Sequence, residues 1–325
     1  MIHVRAASGY QRASASTRDT GVSDPRTLRD ILRASQPIAF RDGTEKALEA
    51  DMRTVRDWVA MSRTPVADTF LQGADVYDRH IGRYGRELAL ELIKFADVRP
   101  GQRALDVGCG PGALTKQLAS VLGAEQVSAI DPSSAFVQAC QERLPGVHAE
   151  VAAAEALPFG DEFFDRTLAQ LVVNFMTDAE AGVREMCRVT RSGSIIAAAV
   201  WDYAGQMTLL RRFWDSVAAL DPSAADLDEG RSMRYCTPDE LQALWTGAGL
   251  EKVSISDVVV TAGYEGFEDL WEPLQFGVSP SGAYVASLSP DRRAELKADF
   301  QHRLGAGNEP FRLGARAWLV AGRVP

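Results

Sequence analysis

Residues 105–115, LDVGCGPGALT, restrict the fold of this chain more than any other stretch. The apolar run RALDV enters a turn carrying Gly108, Gly110 and Gly112, and ALTKQLASVLG leaves it with Leu114, Leu118, Val121 and Leu122 on one helical face. Strand, glycine turn and helix open a βαβ unit; glycine is needed there because the backbone must take positive φ or come close to a ligand. The alternation continues. QVSAID reads as strand, SAFVQACQERL as helix, GVHAEVA and DRTLAQLVV as strands, DAEAGVREMCRVT as helix and GSIIAAAVW as a buried strand. With RELALELIKFA as a helix ahead of it, this pattern predicts a doubly wound, mostly parallel α/β sheet with its ligand at the carboxyl ends of the strands.

Two carboxylates bear on the ligand. A loose G-x-G-x-x-A match through Ala113 admits a nicotinamide or flavin dinucleotide, and such a match is weak alone. A pyrophosphate on the helix amino terminus is favoured by exposed N–H groups and the dipole, and Asp106, two residues before the first glycine, opposes it. S-adenosylmethionine carries an ammonium and a sulfonium in place of phosphate, so Asp106 complements its cationic end while the turn's amides serve its carboxylate. Asp131 closes VSAID about 20 residues further on, the spacing of an acid that grips a ribose diol. That spacing fits either ligand, and a cap on the helix starting near Ser133 is the structural alternative for Asp131. Pro132, next in sequence, is placed to flank an adenine.

Composition narrows the partners. With 46% hydrophobic and 24% charged residues the chain reads as globular. A net charge of −9 opposes a polyanion, so nucleic acid is not an expected partner. Its apolar runs are far shorter than the roughly 20 residues of a membrane span. Cys109, Cys140, Cys187 and Cys236 show no metal-ligand spacing, nor do His3, His80, His148 and His302, so no metal is expected and the cysteines read as cytoplasmic thiols. The first 64 residues carry eleven basic and eight acidic residues, and residues 1–18 contain no acid. An organellar targeting peptide has that composition, but so does an untargeted tail in a chain rich in arginine and alanine and poor in lysine. The expectation is an extension over 1–64, partly flexible or helical through EKALEADMRTVRDWVAM, followed by one domain over 65–325.

The stretch from about residue 74 to 201 resembles the class I, Rossmann-like S-adenosylmethionine-dependent methyltransferases, and among them the small-molecule group that includes ubiquinone and menaquinone biosynthesis methyltransferases. LDVGCGPGALT, AIDPS, AEALPFGDEFFD and REMCRVTRSGSI carry the resemblance. It implies a seven-stranded sheet with an antiparallel last strand: a core over about 86–201, a helical substrate cap over about 203–249 and 264–305, and the last strand over about 312–323. It implies S-adenosylmethionine as cofactor, with Asp106, Gly108, Gly110 and Gly112 around the methionine end, Asp131 on the ribose, Pro132, Ala154 and Glu155 around the adenine, and Gln170 pointing at the cofactor. One departure stands out: Ala152, Ala153 and Ala154 fill positions where the family often has an acid for the adenine amine, which leaves Glu155 to compensate.

YDRHIGRYGR, residues 77–86, is the expected lid, with Tyr77 and Tyr84 covering the cofactor, Arg83 meeting a carboxylate and His80 a candidate base. VWDYAG places Trp201, Asp202 and Tyr203 at the acceptor pocket, Asp202 and Tyr203 being further catalytic candidates. Phe267, Leu270, Trp271 and Leu274 share a helical face that reads as packing. Methyl transfer is a one-step displacement that depends on alignment more than on a base. The expected acceptor is a small, partly apolar organic molecule. The alternatives are a nicotinamide-dependent oxidoreductase and a catalytically silent nucleotide-binding module.

Overall fold

The computed structural model describes residues 78–277 and 279–325. Tyr77, the expected boundary at residue 64 and the amino-terminal extension lie outside them. Seven strands form one sheet: β1 (Ala104–Val107), β2 (Val127–Asp131), β3 (His148–Val151), β4 (Phe164–Gln170), β5 (Thr190–Trp201), β6 (Glu251–Tyr264) and β7 (Phe311–Arg323). Their order is β3-β2-β1-β4-β5-β7-β6. Strands β1 to β5 pair in parallel, while β7 runs antiparallel to both β5 and β6. The antiparallel last strand is thus present, inserted between β5 and β6.

Every residue of β1 and β2 is buried, as expected for parallel strands covered on both faces. Helix α1 (Gly85–Phe95) buries Leu88, Ala89, Leu92 and Ile93, the stripe its spacing predicted. Helix α2 (Ala113–Leu122) buries Leu114, Leu118 and Leu122 and stops at Gly123, whose φ of 90° only glycine adopts cheaply. Helix α3 (Ser134–Arg143) is capped by the Ser133 hydroxyl, which accepts from the Phe136 amide at 3.4 Å. Helix α4 (Ala179–Val189) is capped in the same way by Asp178.

Six more helices follow. After β5 come α5 (Thr208–Leu220), α6 (Glu229–Ser232) and α7 (Pro238–Gly247); after β6 come α8 (Phe267–Leu274), α9 (Pro280–Ser287) and α10 (Pro290–Leu304). The sequence reading grouped α7 with the cap, but it packs on the sheet. A Cβ on Gly322 of β7 would lie 3.0 Å from the Trp245 ring of α7 and 2.9 Å from Leu250. The other helices share an aromatic core in which Phe213 stands edge-on to Phe300 at 5.6 Å and Phe267 stacks with Trp271 at 6.2 Å. Phe267, Leu270, Trp271 and Leu274 are all buried in it, so that stripe is packing.

The topology sets the site. The chain leaves β1 toward β2 and β3 on one side and returns to β4 and β5 on the other, so the carboxyl ends of β1 and β4 flank the switch point where α/β sheets bind ligands. The glycine turn follows β1 and Gln170 ends β4 at that point.

Candidate active site

The glycine turn is built from backbone bonds. Ile130 O accepts from the amides of Gly108 and Cys109 at 2.8 and 2.9 Å, and Cys109 O accepts from Gly112 at 3.0 Å. The Gly110 amide donates to Asp131 Oδ2 at 2.9 Å, while Asp131 Oδ1 accepts from the Ser133 amide at 2.9 Å. Position 111 is proline, without an amide hydrogen. The amides from 108 to 112 therefore face inward, which corrects the expectation that they serve a ligand carboxylate. A pyrophosphate would find no free amide on this turn either.

The three glycines differ. All have positive φ, at 73°, 52° and 98° for Gly108, Gly110 and Gly112. A Cβ on Gly108 would lie 2.7 Å from Val172 Cγ1 and closer still to its other methyl, and one on Gly112 would lie 3.0 Å from Leu144 and 3.3 Å from the Cys140 sulfur. Those two positions are small because the protein itself fills the space. At Gly110 a Cβ would meet nothing within 4 Å, so this glycine opens outward.

Asp106 is fully buried beneath the turn. Its Oδ2 accepts from the Thr115 hydroxyl at 2.6 Å, and the Thr115 amide, in the first turn of α2, also bonds this carboxyl. Asp106 thus occupies the helix end a phosphate would need. Its Oδ1 is buried without a partner. Burial pushes the carboxyl up to about 7, opposed by the Thr115 hydroxyl and reinforced by the charge of Asp131. Burial likewise raises Asp131, against the amides of Ser133 and Gly110. Asp106, Gly108, Cys109, Gly110, Pro111, Ala113, Leu114 and Gln170 line one cavity of about 40 Å³.

The geometry meets the fit that S-adenosylmethionine demands at this turn: a buried, half-satisfied carboxylate for a cation, no free turn amide for a phosphate, and an open glycine beside it. Asp131 is 7% exposed, with one lone pair on each oxygen spent on the chain, and Pro132 beside it is exposed. Ala154 is buried. Glu155 accepts from the Asp178 amide at 3.1 Å, so at least one of its oxygens serves the approach to α4 rather than an adenine. Gln170 donates Nε2 to Gly85 O at 3.2 Å and keeps Oε1 buried and unpartnered.

The expected lid is a short 3₁₀ turn, Ile81–Tyr84, leading into α1. Arg83 does meet a carboxylate, but that of Asp269 in α8, with Nη1 to Oδ2 at 2.8 Å, and its guanidinium lies over the Tyr264 ring at 4.8 Å. It is not free for a cofactor. Tyr84 is fully buried, edge-on to Trp201 at 5.6 Å, with its hydroxyl 3.2 Å from that of Tyr264. His80 is 4% exposed, neither a surface histidine nor a side-chain cap. Burial, then the Arg83 charge, lowers it to about 4, which leaves it a poor proton acceptor near neutrality.

Asp202 is committed to the fold. It accepts from Arg316 Nε and Nη2 at 2.9 and 2.7 Å and from the Gln206 amide at 2.7 Å, which ties the end of β5 to β7. Tyr203 is buried, its carbonyl packed against Gly230 of α6. Sequence reasoning missed Thr115 and Val172. Thr115 was findable as a hydroxyl in the first turn after the glycines; Val172 carries no local signal. Among the described residues no group of three or more His, Cys, Asp or Glu side chains is arranged to hold a metal, and no helix is long and apolar enough to cross a membrane.

Residues 105–198 match the family described as Methyltransferase domain. The chain is 30% identical over 198 residues to a ubiquinone/menaquinone biosynthesis C-methyltransferase of Ectopseudomonas mendocina, covering 55% of this chain and 76% of that one. It is 29% identical over 197 residues to a malonyl-[acyl-carrier protein] O-methyltransferase of Pseudescherichia vulneris, covering 60% and 74%. A Haemonchus contortus phosphoethanolamine N-methyltransferase 2, solved with S-adenosyl-L-methionine, shares the fold at a TM-score of 0.50 and 18% identity, over 83% of this chain and 60% of that one. The strand order, the half-satisfied acid under the glycine turn and these similarities converge: the chain belongs to the class I S-adenosylmethionine-dependent methyltransferases, an enzyme family with S-adenosylmethionine as its cofactor.

Proposed function

We propose that this enzyme methylates a small, partly apolar organic acceptor by in-line displacement. The observation that carries the site assignment is the buried, unpartnered Oδ1 of Asp106 beneath a turn whose amides are spent on the chain. S-adenosylmethionine, when bound, supplies an electrophilic methyl carbon on a sulfonium. Asp106 accepts the ammonium of its methionine end, Gly110 gives the backbone clearance, and Asp131 accepts from the ribose hydroxyls with its remaining lone pairs. Pro132, Ala154 and main chain near Glu155 border the adenine, and Gln170 closes the cavity from the end of β4. Tyr84, Trp201 and Tyr203 wall the acceptor side, and packing there excludes water from the reacting atoms. Alignment does the work; we assign no general base, since His80 is a weak one and Asp202 is held by Arg316. We take residues 65–325 as the catalytic domain, 1–64 as an appended extension, and the cytoplasm as its compartment because all four cysteines are free thiols.

Calorimetric titration tests this assignment. S-adenosylmethionine should bind and a nicotinamide dinucleotide should not; the reverse result would return the turn to the oxidoreductase alternative.

A further inference from the structure

Building on the proposed acceptor site, we infer that the acceptor is an uncharged, hydroxyl-bearing molecule received by Asn174 and Trp201, not an anion received by arginine. At the carboxyl ends of β4 and β5, Asn174 Oδ1 and Trp201 Nε1 are buried without a partner, as is His80 Nε2 ahead of α1. Leaving such a group unpaired is costly, so each is a demand on whatever binds beside it. An amide oxygen only accepts and an indole N–H only donates; a hydroxyl is an uncharged group that can answer either.

Both atoms, Asn174 Oδ1 and Trp201 Nε1, belong to segments bordering the proposed acceptor side. Asn174 donates Nδ2 to the Met233 thioether at 3.8 Å, a weak acceptor, and Met233 follows α6, whose Gly230 packs on Tyr203 and Ala204. Trp201 and Gln170 meet successive residues of the lid, Tyr84 and Gly85, so the ends of β5 and β4 converge on it. Between Gln170 and Val172, Leu171 holds φ at 62°, a left-handed conformation rare for leucine, with its amide bonded to Ala199 O at 2.8 Å. Strain of this kind gathers at ligand sites. Further buried orphans are Arg211 Nε on α5, whose Nη atoms Asp228 holds, and the indoles of Trp245 on α7 and Trp318 on β7.

Charge then decides the class. Among the described residues, three guanidiniums of the elements around the acceptor walls are held by carboxylates: Arg83 by Asp269, Arg316 by Asp202, and Arg211 by Asp228 with Nη1 to Oδ2 at 3.0 Å; Arg86, in the lid, is exposed. Arg234, exposed beyond Met233, donates to the hydroxyl of its neighbour Tyr235 at 2.9 Å and lies over that ring. His80, lowered to about 4, is neutral at pH 7 and offers no cation. A carboxylate or phosphate entering here would have to be desolvated without a counter-charge, which burial penalises heavily.

The test uses the full chain with deuteriomethyl S-adenosylmethionine and four acceptor pools: neutral phenols and alcohols, carboxylates, phosphomonoesters, and primary amines. Products are read by mass. Calorimetry with the cofactor alone comes first, so that failure to bind it counts against the proposed function and not against this inference. With the cofactor bound, the label should appear in the neutral hydroxylated pool. Label chiefly in the carboxylate, phosphate or amine pool, or in none of the four, would overturn the inference. For the best neutral acceptor, Asn174→Leu should raise KM about tenfold while leaving cofactor affinity unchanged; an unchanged KM, or a parallel loss of cofactor binding, would remove Asn174 from the role.

Discussion

The turn after β1 and the pocket walls after β4 and β5 satisfy their polar groups in opposite ways. In the turn, neighbouring backbone does it: Ile130 O, Cys109 O and the Asp131 carboxylate take the amides of Gly108, Cys109, Gly110 and Gly112, and what is left over is one charged oxygen of Asp106. In the walls, long side chains from distant elements pair as ions, and the Asn174 carbonyl and the Trp201 indole are among the groups left over. The remainder is what a ligand can use. On the reading proposed above, one end of the cleft takes a cation and the other an uncharged group, from a sheet that is continuous beneath both.

The largest expected effect comes from breaking the turn. Gly108→Ala drives a methyl into Val172 and forces alanine into the left-handed region, which together should destabilise the fold by about 3 kcal/mol or more in thermal unfolding. Adding Val172→Ala should recover the steric share and leave the roughly 1–2 kcal/mol conformational cost. Gly110→Ala has open space and should cost only about 1 kcal/mol in stability; equal losses at both positions would erase the distinction between an inward and an outward glycine.

Next in size is Asp106→Asn, which keeps shape and removes charge. Cofactor affinity should fall about a hundredfold in calorimetry, some 2.7 kcal/mol, in the range expected for a buried charge-assisted bond. The wild-type pH dependence carries a definite sign. A carboxyl raised from 3.8 to about 7 is mostly protonated at pH 6 and mostly ionised at pH 8, so affinity for an ammonium should rise roughly tenfold across that interval. The stability of the unliganded protein has the opposite slope from this group: the native state holds the proton that the unfolded state has released, and that contribution is lost as pH rises from about 4 to about 7. Asp106→Asn should flatten both profiles.

A third effect is confined to the walls. Arg316→Met leaves Asp202, 8% exposed on its side chain, without its guanidinium, and should cost about 2–3 kcal/mol in chemical unfolding, with cofactor affinity unmoved.

The same contrast explains what the sequence could disclose. The turn was legible because Asp106, Gly108, Gly110 and Gly112 lie together in the sequence, and Gly110 to Asp131 spans only twenty-one positions. The strand and helix periodicity was legible for the same reason, while the antiparallel last strand came through family resemblance and its place between β5 and β6 only from the structure. The direction in which each glycine faces was hidden, since Val172 and Leu144 arrive from other elements. The walls were illegible in detail: Arg83 finds Asp269 across 186 positions and Arg316 finds Asp202 across 114, and no periodicity records such pairs. Arg83 and Asp202 looked like free functional groups because their partners lay far along the chain.

The smallest expected effect tests that comparison most directly. Arg83 and Asp269 are about a fifth exposed on their side chains, 18% and 23%, so after solvent screening their pairing contributes about 1 kcal/mol or less. The Arg83 hydrogen bond holds the Asp269 carboxyl below its usual range, so its stabilisation is present above the ordinary carboxylate pKa and is lost as pH falls through the lowered one. Asp269→Asn should remove that acid-side loss and lower the melting temperature by a few degrees at most at pH 7. It also releases a guanidinium from its counter-ion beside Tyr264, at the edge of the acceptor walls. If paired arginines are what exclude anions, the variant should methylate an anionic analogue of the neutral acceptor several-fold better than wild type does, at unchanged cofactor affinity. An analogue rejected equally by both proteins would show that shape, not charge cancellation, sets the selectivity of this end of the cleft.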